Sequence, residues 1–82
     1  MESVSSQRGT LTKLLAAWDR WDKHPADPKA ADNMIEATRA VAAQLDMPYP
    51  AVRGRMQELR RRGNTKAQVI HKMGVLMAST RP

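Results

Sequence analysis

Apolar residues recur at helical spacing in four stretches of the chain, separated by short breaks. Leu11, Leu14, Leu15, Trp18 and Trp21 fall on one stripe. Thr10 is placed to cap that helix. His24-Pro25 is placed to end it, because a residue before proline avoids the α region. Asp27-Pro28 reads as an N-cap followed by proline in the first turn of a second helix. Met34, Ile35, Thr38, Val41, Ala42 and Leu45 form the apolar face of this helix, and Met47-Pro48-Tyr49-Pro50 interrupts it. Val52, Met56 and Leu59 predict a third helix, stopped by Gly63-Asn64. Val69, Ile70, Met73, Leu76 and Met77 predict a fourth. Gly74 weakens that last helix by about 1 kcal/mol. A β-hairpin over 68–78 competes with it, but no Asn-Gly type of turn supports the hairpin. Residues 1–9 are polar, with Ser3, Ser5, Ser6 and Gly9, and read as a disordered lead-in. The expectation is an all-α domain over 10–79, with about four short helices around one core, and a tail at 80–82.

The stretch from Val41 to Leu59 carries a denser pattern. Two helices that cross at a tight turn need a small residue where their axes approach, and Ala42 supplies it. Val41 and Leu45 are the apolar residues that face the neighbouring helix. The turn needs a residue that tolerates a left-handed backbone; Asp46 stands there, and aspartate is among the few substitutes for glycine. Met47 is placed to plug the turn, and Pro50 sets the first turn of the following helix. Val52, Met56 and Leu59 turn that helix's stripe inward. This stretch resembles the helix-turn-helix of bacterial DNA-binding proteins, closest in spacing to winged-helix-type regulators. The departures are Asp46 at the usual glycine, prolines at 48 and 50, and no evident hairpin after residue 63. The resemblance implies a fold that binds double-stranded DNA through its second motif helix.

Charge sharpens this picture. The chain of 82 residues is a single domain by length, with 14 Lys and Arg against 8 Asp and Glu. Its net charge is +6 and its pI about 10.6. Residues 1–46 hold 6 basic and 7 acidic side chains, net −1, whereas 47–82 hold 8 basic and 1 acidic, net +7. Segregation of this kind suits one face built for a polyanion. The absence of cysteine excludes disulfides and thiolate metal sites. No apolar run approaches the ~20 residues of a membrane helix, and the N-terminus lacks the apolar core of a signal peptide. The expected location is cytoplasmic and nucleoid-associated.

On the third helix, the face opposite Val52, Met56 and Leu59 carries Gly54, Gln57 and Arg61, with Arg53 and Arg60 on one flank. In a major groove, Arg53 and Gln57 reach base edges, since Arg pairs with guanine and Gln with adenine. Tyr49, exposed at the turn or packed over its prolines, joins them as a DNA contact. Gly54 lets the helix come close. Arg55, Arg60, Arg61, Arg62 and Lys66 are the phosphate candidates. The run at 60–62 also suits a helix C-terminus, where cations meet the dipole. Trp18 and Trp21 read as core rather than as a stacking platform. His24 and His71 have no convergent ligand pattern, so no metal is expected, and no cofactor. No nucleophile, paired carboxylates or phosphate loop points to an enzyme. Met73, Leu76 and Met77 either complete the core or form the seam of a homodimer, as methionine-rich surfaces do. The chain thus reads as a small transcription regulator or accessory factor of phage or mobile-element type. The rival reading is a helical adaptor or inhibitor whose arginine face meets an acidic protein.

Overall fold

The computed structural model describes residues 2–79, which form four helices and the joints between them: α1 (Glu2–Lys23), α2 (Pro28–Leu45), α3 (Tyr49–Arg61) and α4 (Lys66–Ser79). Among the described residues there is no strand. The hairpin alternative for 68–78 therefore gives way to helix, and no wing follows α3. The expected tail at 80–82 lies outside the described residues.

The joints follow from their side chains. The Asp27 carboxylate accepts a hydrogen bond from the Lys29 amide at 3.0 Å, and Pro28 fills a first-turn position that needs no N–H. At the other end of α2, Asp46 adopts φ 54°, ψ 44°, the left-handed conformation expected of it. The Asp46 amide then donates to the Ala43 carbonyl at 3.3 Å and the Met47 amide to Ala42 at 3.0 Å. This is a Schellman closure, and Met47 folds back to pack on the core. The pattern repeats after α3, where Gly63 takes φ 99°. Gly63 donates to Arg60 at 2.9 Å and Asn64 to Leu59 at 3.2 Å. A reciprocal capping box then starts α4: the Thr65 hydroxyl accepts from the Gln68 amide at 3.1 Å, and the Gln68 side chain accepts from the Thr65 amide at 2.8 Å.

The first helix departs from expectation. It begins at Glu2, so residues 2–9 are not the expected lead-in but its first two turns, and Thr10 is no cap. The segment holds no proline, and Glu2, Gln7 and Arg8 are good helix formers. Thr10 lies within α1, and its hydroxyl accepts from Gln44 Nε2 at 2.5 Å, which ties α1 to the end of α2.

Each helix contributes to one core: Leu14 and Trp18 from α1, Met34, Val41, Ala42 and Leu45 from α2, Val52 and Met56 from α3, and Val69, Met73 and Met77 from α4. Buried Thr38 satisfies its hydroxyl on the Met34 carbonyl at 2.8 Å. Two residues expected in this core lie at its edge. Trp21 is 38% exposed and Ile35 39%. Both sit at the margin of their helix stripe, and no neighbouring helix covers that margin. Gly74 has a packing reason: a Cβ there would stand 3.1 Å from Leu11 Cδ1, so its absence lets α4 approach α1. The first and last helices are thus paired. Helix α3 rests on α2 and α4 and makes no close backbone approach to α1.

Candidate nucleic-acid interface

Helix α3 is held by one narrow stripe. Val52 and Met56 are buried and Leu59 packs partly on the core. Arg53, Gly54, Arg55, Gln57, Glu58, Arg60, Arg61 and Arg62 are all exposed. The connection to α2 is three residues, Asp46 to Pro48. Because Asp46 and Pro48 are backbone-constrained there, the direction in which α3 leaves α2 is fixed by local chemistry.

The arginines fall into two sets. Arg61 and Arg62 bridge to Glu58 at 3.7 and 3.2 Å, and Arg60 donates to the Asn64 carbonyl at 2.8 Å. These contacts neutralise Glu58, the only carboxylate on the face. Pairs this exposed contribute little to stability, so the guanidinium groups are free to exchange partners. Arg53 and Arg55 form no ion pair among the described residues. The C-terminus of α3 therefore concentrates cations where the helix dipole also favours them.

Lys66 sits elsewhere than expected, whereas Tyr49, Met73 and Met77 each take one of the two placements that the sequence left open. Lys66 does not join the basic face. Its ammonium bonds Asp19 Oδ1 at 2.5 Å and Asp22 Oδ2 at 2.8 Å, which ties the start of α4 to the end of α1. The bond to Asp19, then that to Asp22, holds its pKa above the ordinary lysine range. No local signal announces this tie, because its partners lie more than forty residues away in sequence. Tyr49 is half-buried: it forms the first turn of α3 beneath the Arg39 guanidinium, whose Cζ lies 5.5 Å from the ring centroid. Arg39, a residue that the pattern did not single out, thus adds a cation beside the α3 N-terminus. Met73 and Met77 are buried within the chain at 1% and 0% exposure, so they complete the core and cannot form a seam; Leu76 packs partly against them. Their spacing of four residues on the α4 stripe fits this burial as well as it fits a seam, which is why the sequence left both open.

Arg53, Gln57 and Tyr49, the base-reading candidates, share one place. They line a groove of about 470 Å³ between α1, α2 and α3, together with Trp18, Trp21 and Ile35. Among the described residues no cluster of His, Cys, Asp and Glu could hold a metal ion, and no helix is long and apolar enough to cross a membrane. No family model, curated protein or solved structure matches the chain.

Proposed function

We propose that the protein binds duplex DNA by laying α3 in the major groove, as a small regulator or accessory factor. The observation that carries this reading is the arginine face itself. One helix of 13 residues, packed through Val52 and Met56, presents Arg53, Arg55, Arg60 and Arg61 to solvent, with Arg62 at its cap. Solubility alone does not call for cations gathered on one helix of a chain whose residues 1–46 have net charge −1. The role of Gly54 fits the same picture. A Cβ at this position meets nothing within 4 Å, so the fold has no use for a glycine there, whereas a backbone pressed toward a duplex does.

In this arrangement α2 and the turn act as a support, and α3 acts as the reading element. Arg53 and Gln57 address base edges. Arg55, Arg60, Arg61 and Arg62 meet phosphates and set the register. With Lys66 engaged by Asp19 and Asp22, the contacts number four or five. Each neutralised phosphate contributes roughly 0.9 to the slope of log affinity against log salt, so a slope near −4 is expected. Fluorescence titration with duplex DNA at several salt concentrations measures it. A slope near zero, or no binding at about 50 mM salt, rules this function out.

A further inference from the structure

The chain has three aromatic residues, Trp18, Trp21 and Tyr49. They come from two helices that make no close backbone approach, yet all three line the same groove. Trp18, Met34, Thr38 and Met56 are the buried part of its lining. Trp21 and Ile35, two of the three exposed large apolar side chains among the described residues, complete its apolar surface. Arg53 and Arg60 line it from α3, and no Asp or Glu does. Aromatic residues, Met and Arg without carboxylates are the composition of a protein–protein interface core and of its hot spots. Duplex DNA explains the arginines but gives no reason to leave Trp21 and Ile35 in water.

The dimensions and the charge select the occupant. Along α3 the lining runs from Tyr49 to Arg60, about 16 Å, or three helical turns. A groove of that length with an apolar lining accepts a helix through anchors at i, i+3 or i+4, and i+7. Arg53 and Arg60 stand seven residues apart on one edge, two turns of helix, and Arg39 covers Tyr49 at the end where α3 begins. Carboxylates two turns apart on the incoming helix would meet them. We infer that this groove is a docking site for a short acidic amphipathic helix of a partner protein, with two or three apolar anchors against Trp18, Trp21 and Ile35 and its carboxylates on Arg53 and Arg60. Because Arg53, Gln57 and Arg60 belong to both surfaces, the docked helix and a duplex exclude one another. That exclusion rests on the DNA reading; the docking does not.

The test uses the full chain and a fluorescein-labelled synthetic peptide of about four helical turns, with leucines at i, i+3 and i+7 and glutamates on the flanks. One control distributes the same leucines around the helix, and a second replaces the glutamates by lysines. By fluorescence anisotropy the designed peptide binds about tenfold tighter than either control. Trp21→Ala and Ile35→Ala each weaken it about fivefold or more, with helicity and melting recorded beside them to separate lost binding from lost packing. Lys72→Ala, an exposed cation on α4 far from the lining in sequence, leaves it within about twofold. Equal binding of the control with distributed leucines, indifference to Trp21→Ala, or no saturation at about 100 µM overturns the docking site. A duplex of about 20 base pairs is then added to the loaded complex. Displacement of the peptide supports exclusion, and a duplex that binds without displacing it refutes exclusion. A chain that binds the peptide but no duplex keeps the groove and loses the DNA reading.

Discussion

Helices α3 and α4 are nearly equal in length, 13 and 14 residues, and each carries one glycine in its interior. The two glycines sit in opposite surroundings. Gly74 lies where α4 meets α1, and a methyl group there would press on Leu11 at 3.1 Å. Gly54 faces open space. Helix α4 places Val69, Met73 and Met77 in the core, whereas α3 commits only Val52 and Met56 and turns four arginines outward, with a fifth at its cap. A glycine in mid-helix costs roughly 0.5–1 kcal/mol relative to alanine. In α4 the packing offsets that cost. In α3 nothing within the fold does, and a local rule broken without a compensating contact is where function is to be sought.

The largest effect that sharpens this contrast belongs to α4. Met73→Ala removes a side chain that is 1% exposed and should cost about 2–5 kcal/mol by urea denaturation. A chain this small has only about 4–12 kcal/mol in all. On α3 the effect moves from stability to binding. Arg53→Ala should weaken the preferred duplex by about 1–3 kcal/mol and relax preference at one base pair, while Arg61→Ala weakens all duplexes alike and lowers the salt slope by about 1. Neither should shift the unfolding free energy by more than about 0.5 kcal/mol. If Arg53→Ala lowers specific and random affinities equally, α3 is not the reading helix.

The glycines themselves give a smaller and more pointed result. Gly54→Ala should raise stability by about 0.5–1 kcal/mol and at the same time weaken duplex binding, an opposition that a purely structural helix would not display. Gly74→Ala should gain nothing, because displacing Leu11 opposes the same helical preference. Thermal melting of both variants, with duplex titration of the first, separates the two cases. A Gly54→Ala chain that melts higher and binds as before removes the close-approach argument.

The smallest effect concerns Lys66. Its pKa is raised in the folded chain by Asp19 and Asp22. The stabilisation from this tie is therefore fully present below the ordinary lysine pKa of about 10.4 and is lost as pH rises through the elevated folded value. Lys66→Met should lower the melting temperature slightly at pH 7, and the difference from the parent chain should shrink above pH ~10.4. A difference that persists unchanged at high pH would assign the loss to packing of the lysine stem instead.

Much of this architecture was legible because it is written locally. Asp46 could be assigned a left-handed backbone from its place between two apolar patterns, and Pro28 and Pro50 mark first turns wherever they stand. The Thr65–Gln68 capping box was equally local, a Thr-x-x-Gln spacing ahead of an apolar run, and would have decided helix over hairpin for α4. Other features have no local signature. Whether Trp21 and Ile35 are covered depends on where α3 is carried, and their stripes reach the margin in either case. The partners of Lys66 sit on a helix at the far end of the chain. Residues 2–9 lack apolar periodicity, and periodicity is the signal by which α1 was recognised. Of the candidate interface, the arginine face followed from the helical wheel, but the groove beside it required three helices to be in place at once.

The pairing of α1 with α4 bears on how the molecule opens. The two ends of the chain are tied together by Gly74 against Leu11 and by Lys66 against Asp19 and Asp22, and α2 packs on both α1 and α4. Helix α3 is an excursion from that three-helix body, leaving at Asp46 and returning at Gly63 through two left-handed residues. It can detach by giving up Val52, Met56 and part of Leu59 while the paired ends remain closed. Amide hydrogen exchange should then divide the chain into two populations, with α3 opening at a lower free energy than α1, α2 and α4. A bound duplex or docked helix would slow exchange in α3 first, so that the partner supplies the protection which the core withholds from this one helix.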